Sequence, residues 1–339
     1  MMTIRDIARE CNVGLGTVSR VLNGQPGVRP STREKVQSII DKYGFVLNQN
    51  AKLLKEQDRH TIFIFVKGTS SILLNSLLET IQGRFESLPY TTNVVVLDEY
   101  DNEAKRACRI FYEQKPLGMI FLGGSPDVYK DDFAKVQVPC VIISNQAHSV
   151  VNRNLSSVST DDARGAEEAA EFLIKNGHTN IGVIGGELES SELSRRRLAS
   201  FLCAMRRHGL AFNKETHFVH SKYSLEGGAS AARTLMKSAR GITAIFTMSD
   251  VMAIGAMRSL ADMGLSVPGD ISIIGFDGIP LAEFCCPRLA TIRQKREMLV
   301  EEGLNALLES IEQQKPSVHT LLPFEFIEGE SVKDIRPAL

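Results

Sequence analysis

The sequence has no tryptophan, no Cys-x-x-Cys pair, and no uncharged apolar run near the roughly 18–20 residues that span a bilayer. The missing run excludes a helical membrane protein. The N-terminus meets Arg5 and Asp6 before any apolar stretch, which argues against a secretory signal and for the cytoplasm. The six cysteines (Cys11, Cys108, Cys140, Cys203, Cys285, Cys286) are scattered and read as small apolar residues in a reducing compartment, not as a disulfide frame or zinc site. Enzyme motifs are also missing: no Walker loop, no Gly-x-Ser-x-Gly, no His-Glu-x-x-His. His217 and His220 form a His-x-x-His, but on a predicted strand they face opposite sides. No catalytic residue, metal ligand or cofactor is assigned, and the pair Asp161-Asp162 reads as a helix N-cap.

What is there is a chain of 339 residues, enough for two or three domains. Its net charge of −1 hides an asymmetry, because residues 1–60 hold ten lysines and arginines against six acids. A basic head on an acidic body suggests a polyanion-binding module. In that head Ile4, Ile7, Ala8 and Cys11 fall at i, i+3, i+4, i+7, one apolar stripe of a short helix. Val18, Val21 and Leu22 mark a second helix, and Val36, Ile39, Ile40 and Tyr43 a third, with Ser31 and Glu34 as its capping box. The arrangement predicts a helix-turn-helix whose second helix, about 15–22, presents Leu15, Gly16, Thr17, Ser19 and Arg20 to the major groove. From periodicity alone, a three-helix cap without any ligand fits as well.

From residue 61 onward, β-rich runs alternate with amphipathic helices. Strands are predicted at 61–66, 93–97, 117–122 and 139–143, then at 180–184, 216–220, 242–247 and 271–275. Continuous apolar strands separated by helices mean parallel sheets covered on both faces, here in two doubly wound lobes. Such folds bind ligands beyond the carboxyl ends of the strands, hence in the cleft between lobes. Asp277 ends one strand with a carboxylate that can accept hydroxyl hydrogen bonds, and Arg197 follows the Gly185-Gly186 strand end.

Thr3-Ile-Arg-Asp-Ile-Ala, the string Thr17-Val-Ser-Arg-Val-Leu-Asn23, and Thr32-Arg-Glu-Lys-Val36 resemble the head of the lactose/galactose repressor (LacI/GalR) family, and the similarity runs through nearly the whole chain. The resemblance implies a transcriptional regulator, in all expectation a repressor, with a periplasmic-binding-protein-like body. The domains would be a head at 1–47, a hinge at 48–60, a first lobe at 61–160 with about 291–320, and a second lobe at 161–290 with about 321–339. Its partners would be double-stranded operator DNA, a small sugar-like effector and a second copy of itself, since the tail after Phe326 is too short for the heptads that build tetramers. The implied DNA contacts are Thr3, Leu15, Gly16, Thr17, Ser19, Arg20 and Asn23 in the head, and Asn48, Ala51, Lys52 and Leu54 in the hinge. Leu54 stands where relatives wedge a leucine into the minor groove. The head departs from the family at Gly14, Leu15 and Gly16, which replace a serine and polar or aromatic base readers.

The implied effector contacts are Leu73, Ser144, Arg197, Tyr223, Asp250 and Asp277. Here too the chain departs: 66–74 lacks the usual aromatic wall, Ser144 replaces a common aspartate, and Ser249 precedes Asp250 where relatives have asparagine. These losses argue against a simple neutral hexose, while Arg197 and Lys67 suggest a phosphorylated sugar. Three alternatives stay open: a solute-binding protein without a regulatory role, a small-molecule enzyme on the same fold, and a regulator that answers to a protein partner.

Overall fold

A computed structural model describes residues 4–22, 26–43, 60–68, 70–98, 101–125, 129, 133–147 and 154–337. The chain forms two compact units, Met1–Gln57 and Asp58–Leu339.

The first unit holds α1 (Ile4–Cys11), α2 (Leu15–Leu22) and α3 (Pro30–Tyr43). The predicted stripes meet in one small core: Ile7, Ala8 and Cys11 pack with Val18, Val21, Val36 and Ile40. Tyr43 departs from that expectation. It is 47% exposed, and its hydroxyl donates to Glu10. Nor does Ser31 cap α3, because Pro30 takes the first helical position, where its missing N–H costs nothing.

The second unit contains two six-stranded sheets. The first runs through β1 (Thr61–Lys67), β2 (Thr91–Leu97), β3 (Gly118–Leu122), β4 (Cys140–Ile143) and β5 (Leu155–Thr160). Its helices are α4 (Ile72–Phe85) and α5 (Glu103–Gln114). The second lobe follows with α6 (Asp162–Lys175), β6 (Ile181–Gly185), α7 (Glu192–Arg207), the helical turn α8 (Lys214–His217) and β7 (Phe218–His220). It continues through α9 (Leu225–Ser238), β8 (Ala244–Thr247), α10 (Asp250–Asp262), β9 (Ser272–Asp277), α11 (Leu281–Phe284) and β10 (Ala290–Gln294). The long α12 (Arg296–Gln313) then leads to β11 (His319–Leu322) and β12 (Phe324–Ile327). The strand orders are β11-β5-β4-β3-β1-β2 and β12-β10-β9-β8-β6-β7, one order used twice, except that the edge strand β11 runs parallel to β5 whereas β12 runs antiparallel to β10.

Alternation along the central strands feeds two helical layers. In β1, Ile62, Ile64 and Val66 face Leu77 of α4 and Leu304 of α12, whereas Phe63 and Phe65 face Ala104 and Ala107 of α5. Each lobe stacks a phenylalanine pair in its core, Phe65 on Phe121 and Phe201 on Phe246, both with ring centroids 4.8 Å apart. In the second lobe α9 and α10 pack backbone against backbone. A Cβ at Gly228 would sit 2.1 Å from the Met252 carbonyl oxygen, so only glycine fits.

Two expectations about chain path need correction. The second lobe keeps the chain through Gln294, not 290, because β10 pairs parallel with β9 and antiparallel with β12. The predicted strand at 216–220 loses its start to α8, where Asn213 caps the turn. His217 therefore belongs to a helical turn and bonds Asn180 at 2.9 Å. Among the described residues, no helix is long and apolar enough to cross a membrane.

Candidate functional site

Two surfaces collect the residues singled out above. On the head, α2 buries Val18 and Val21 and leaves Leu15, Gly16 and Arg20 exposed, with Thr17 and Ser19 half-buried beside them. The helix starts from the Gly14 carbonyl, which accepts from the amides of Thr17 and Val18 at 2.9 and 3.3 Å. An added Cβ at Gly14 or Gly16 would meet nothing within 4 Å, so this face is open. Thr3, Asn23, Asn48, Ala51, Lys52 and Leu54 lie outside the described residues.

In the body, a cavity of about 410 Å³ opens between the strand ends of the two lobes. It brings together five of the six effector candidates: Leu73 and Ser144 from the first lobe, and Arg197, Tyr223 and Asp277 from the second. Ser144 and Asp277 stand at equivalent strand ends, and both sit at positive φ, 79° and 118°. A non-glycine residue held there stores roughly 1–3 kcal/mol of strain, and such positions concentrate at ligand sites. The Asp277 carboxylate accepts from Gln294 Nε2 at 2.8 Å and lies 3.9 Å from Arg197 Nη1. Burial pushes its pKa up to about 6, against the pull of Arg197. The Tyr223 hydroxyl pairs with that of Ser194 at 3.0 Å.

Asp250 does not join them. It is fully buried, accepts from Thr291 Oγ1 at 2.6 Å and from the Ile279 amide at 2.8 Å, and does not line the cavity. As the first residue of α10 its side chain turns into the lobe and fastens the turn that follows Asp277. Burial, and then the charge of Asp277, push its pKa well up.

Arg197 is 2% exposed and lies with its guanidinium 3.6 Å over the Phe276 ring. Its Nε and Nη2 donate to Asp162 Oδ1 at 3.0 and 2.7 Å, and Nη1 donates to the Met248 carbonyl at 2.5 Å. Lys67 Nζ donates to Glu103 Oε2 at 2.7 Å. Both cations thus carry a carboxylate partner, and the reason given for a phosphorylated ligand falls away.

Sequence reasoning missed Asp162, Glu103 and Gln294. Of the predicted capping pair, Asp161 does cap α6 while Asp162 holds Arg197. The partners lie 35 residues apart for Asp162 and Arg197, and 36 for Lys67 and Glu103. No local spacing could have joined them. Gln294 accepts from Thr160 Oγ1 at 2.9 Å while donating to Asp277, so one side chain ties the cavity floor to the crossover between lobes. At the cavity mouth Ser125 Oγ donates to the Ser190 carbonyl at 2.9 Å, a second link across the cleft.

Residues 3–48 match the family described as bacterial regulatory proteins, lacI family, and residues 170–332 match the periplasmic binding protein-like domain. The chain is 31% identical over 340 residues to the HTH-type transcriptional regulator MalR of Clostridium butyricum, covering 98% of this chain and 100% of that one. It is also 31% identical over 297 residues to catabolite control protein A of Priestia megaterium, covering 86% and 87%. Its fold is similar to that of the lac repressor dimer bound to operator and the anti-inducer ONPF, with a TM-score of 0.71 and 24% identity over 98% and 99% of the two chains. A helix-turn-helix head matched at one end, a binding-protein body matched at the other and full-length relatives at this identity lead to one statement: the chain belongs to the LacI family of DNA-binding transcriptional regulators.

Proposed function

We propose that the chain is a cytoplasmic, dimeric repressor whose affinity for operator DNA is set by a sugar-class polyol bound between the lobes. The observation that carries the ligand half is the pairing of Arg197 with Asp277 on the cavity floor. Of the five N–H groups on Arg197, three serve Asp162 and Met248. Nη1, which keeps a second N–H, stands 3.9 Å from the Asp277 carboxylate, which accepts. A hydroxyl group both donates and accepts, so this floor suits the hydroxyls of a sugar. Such a ligand changes operator affinity only if it binds one lobe arrangement better than the other.

The DNA half rests on the exposed face of α2. Leu15, Gly16, Thr17, Ser19 and Arg20 would enter the major groove, with Thr3 and Asn23 at its edges and Asn48, Ala51, Lys52 and Leu54 in the minor groove. Two heads read half-sites about one helical turn apart. Gly16 offers no side chain to a base, so Arg20 to a guanine and Leu15 to a thymine methyl carry the reading.

The test is fluorescence anisotropy of the full chain on the promoter beside its own gene, with and without uncharged sugars. Arg20→Ala is expected to cost about 1–3 kcal/mol on that site and much less on random DNA. Equal loss on both would reduce Arg20 to a phosphate contact. A sugar that shifts wild-type affinity should leave the operator affinity of Asp277→Ala unmoved.

A further inference from the structure

Of the three cations that line the cleft among the described residues, Lys67 and Arg197 already hold a carboxylate. Lys67, at the end of β1, has a side chain 14% exposed, while its partner Glu103 is 1% exposed at the start of α5. The second Glu103 oxygen accepts the Ser125 amide at 2.6 Å, which anchors the carboxylate from the other side. On the opposite wall Asp162 holds Arg197, with both side chains at least 98% buried. The remaining charge on the cavity wall is mostly negative: Asp98, Asp101, Glu187 and Glu226 line it together with Asp277, against the further cation Lys222.

We propose that Glu103 is a specificity-determining residue of this cleft: by keeping Lys67 in a closed pair it denies the ligand a cation, so the site takes uncharged polyols and rejects their phosphorylated or carboxylated counterparts. The proposal rests on the cleft being the effector site. An anion that drew Lys67 away would leave the Glu103 carboxylate buried and unpaired, which is strongly unfavourable. It would also enter between carboxylates of its own sign. Glu103 touches no ligand; it acts through Lys67 as a positioning residue.

Glu103→Gln tests this directly, because glutamine keeps an acceptor for the Ser125 amide while the charged oxygen that accepts from Lys67 is replaced by an NH2 group. Calorimetric titration of the full-length protein with inorganic phosphate and with glucose 6-phosphate is expected to show negligible binding to wild type. E103Q should gain about tenfold in affinity for both anions, the order expected of one charge-assisted contact. That gain should shrink as salt rises and vanish in Lys67→Met/Glu103→Gln, which a merely structural role for Glu103 would not produce. The idea is overturned if E103Q, folded by circular dichroism and unchanged on operator DNA, binds neither anion better than wild type. It is overturned equally if wild type binds glucose 6-phosphate as tightly as any uncharged sugar, a measurement that needs no variant to fold. Failure of the effector-site reading looks different: uncharged sugars would then bind without any dependence on Asp277, whatever the anions do.

Discussion

The two lobes of the body share one strand order, so their strand ends can be compared one for one. β4 corresponds to β9 and β5 to β10. At the first pair the backbone enters the left-handed region in both lobes, at Ser144 and at Asp277. At the second pair the equivalent residues Thr160 and Gln294 bond each other across the crossover. What differs is the chemistry around this shared geometry. In the second lobe Asp277 is braced by Gln294, by Arg197 and, through Arg197, by Asp162 and the Phe276 ring. In the first lobe Ser144 holds its position through a backbone bond, its amide donating to the Val158 carbonyl at 2.9 Å. Strain persists where surroundings over-determine it. The second lobe is therefore a preset anchor, and the first is the half whose lining can change without unmaking its core.

The sharpest way to break this comparison is to remove one cation from each lobe. Arg197→Met leaves Asp162 buried without a partner and is expected to cost about 3–5 kcal/mol in urea unfolding of the full chain. Lys67→Met leaves the buried Glu103 without its cation but still bonded to the Ser125 amide, and removes a partner that was itself partly exposed, so a smaller loss of about 1–3 kcal/mol is expected. Equal losses would show that the first lobe is as rigidly charged as the second.

A pH titration reads the anchor more finely. The Asp277 carboxyl is raised to about 6 by burial, against about 3.9 for an unperturbed aspartate. As pH rises the unfolded chain releases this proton first, so wild type loses stability between about pH 4 and pH 6. Asp277→Asn removes that loss. Its melting temperature is expected to exceed that of wild type at pH 8 and to match it near pH 4. Burial raises Asp162 and Asp250 in the same direction, so the difference between the two proteins reports Asp277, not either profile alone. A constant difference across this range would place the carboxyl in a better-solvated setting.

The contrast between lobes also explains what could be read in advance. The head helices and the central strands were legible because their signal is local: stripes at i, i+3, i+4, i+7, and apolar runs such as Ile62–Val66. Asp277 and Arg197 were legible because strand ends face the cleft in any doubly wound fold. Asp250 misled for a related reason, since it also follows a strand, yet its side chain turns inward to Thr291 and Ile279. β10, β11 and β12 escaped because four or five residues mixing Thr, Arg, Gln, His and Glu with apolar ones carry little periodic signal. The partners that set the charge of the cleft were invisible, being joined only by the fold.

The smallest expected effect tests the plastic half at its strand end. Ser144 is 93% buried and keeps φ at 79°, a region where glycine has no Cβ clash. Ser144→Gly relieves roughly 1–2 kcal/mol of left-handed strain and gives back roughly 0.5–1 kcal/mol through the freer unfolded chain. The net change is a gain between zero and about 1.5 kcal/mol, read in urea melts beside wild type. Asp277→Gly relieves similar strain but, unlike Asp277→Asn, strips Gln294 of its acceptor, so it should lose stability and ligand response together. The two glycine variants thus make the same backbone change at equivalent positions and differ only in the side-chain network removed. If Ser144→Gly proves destabilising by more than about 1 kcal/mol, the serine hydroxyl carries a contact that the first lobe depends on, and the division into anchor and plastic half fails at that residue.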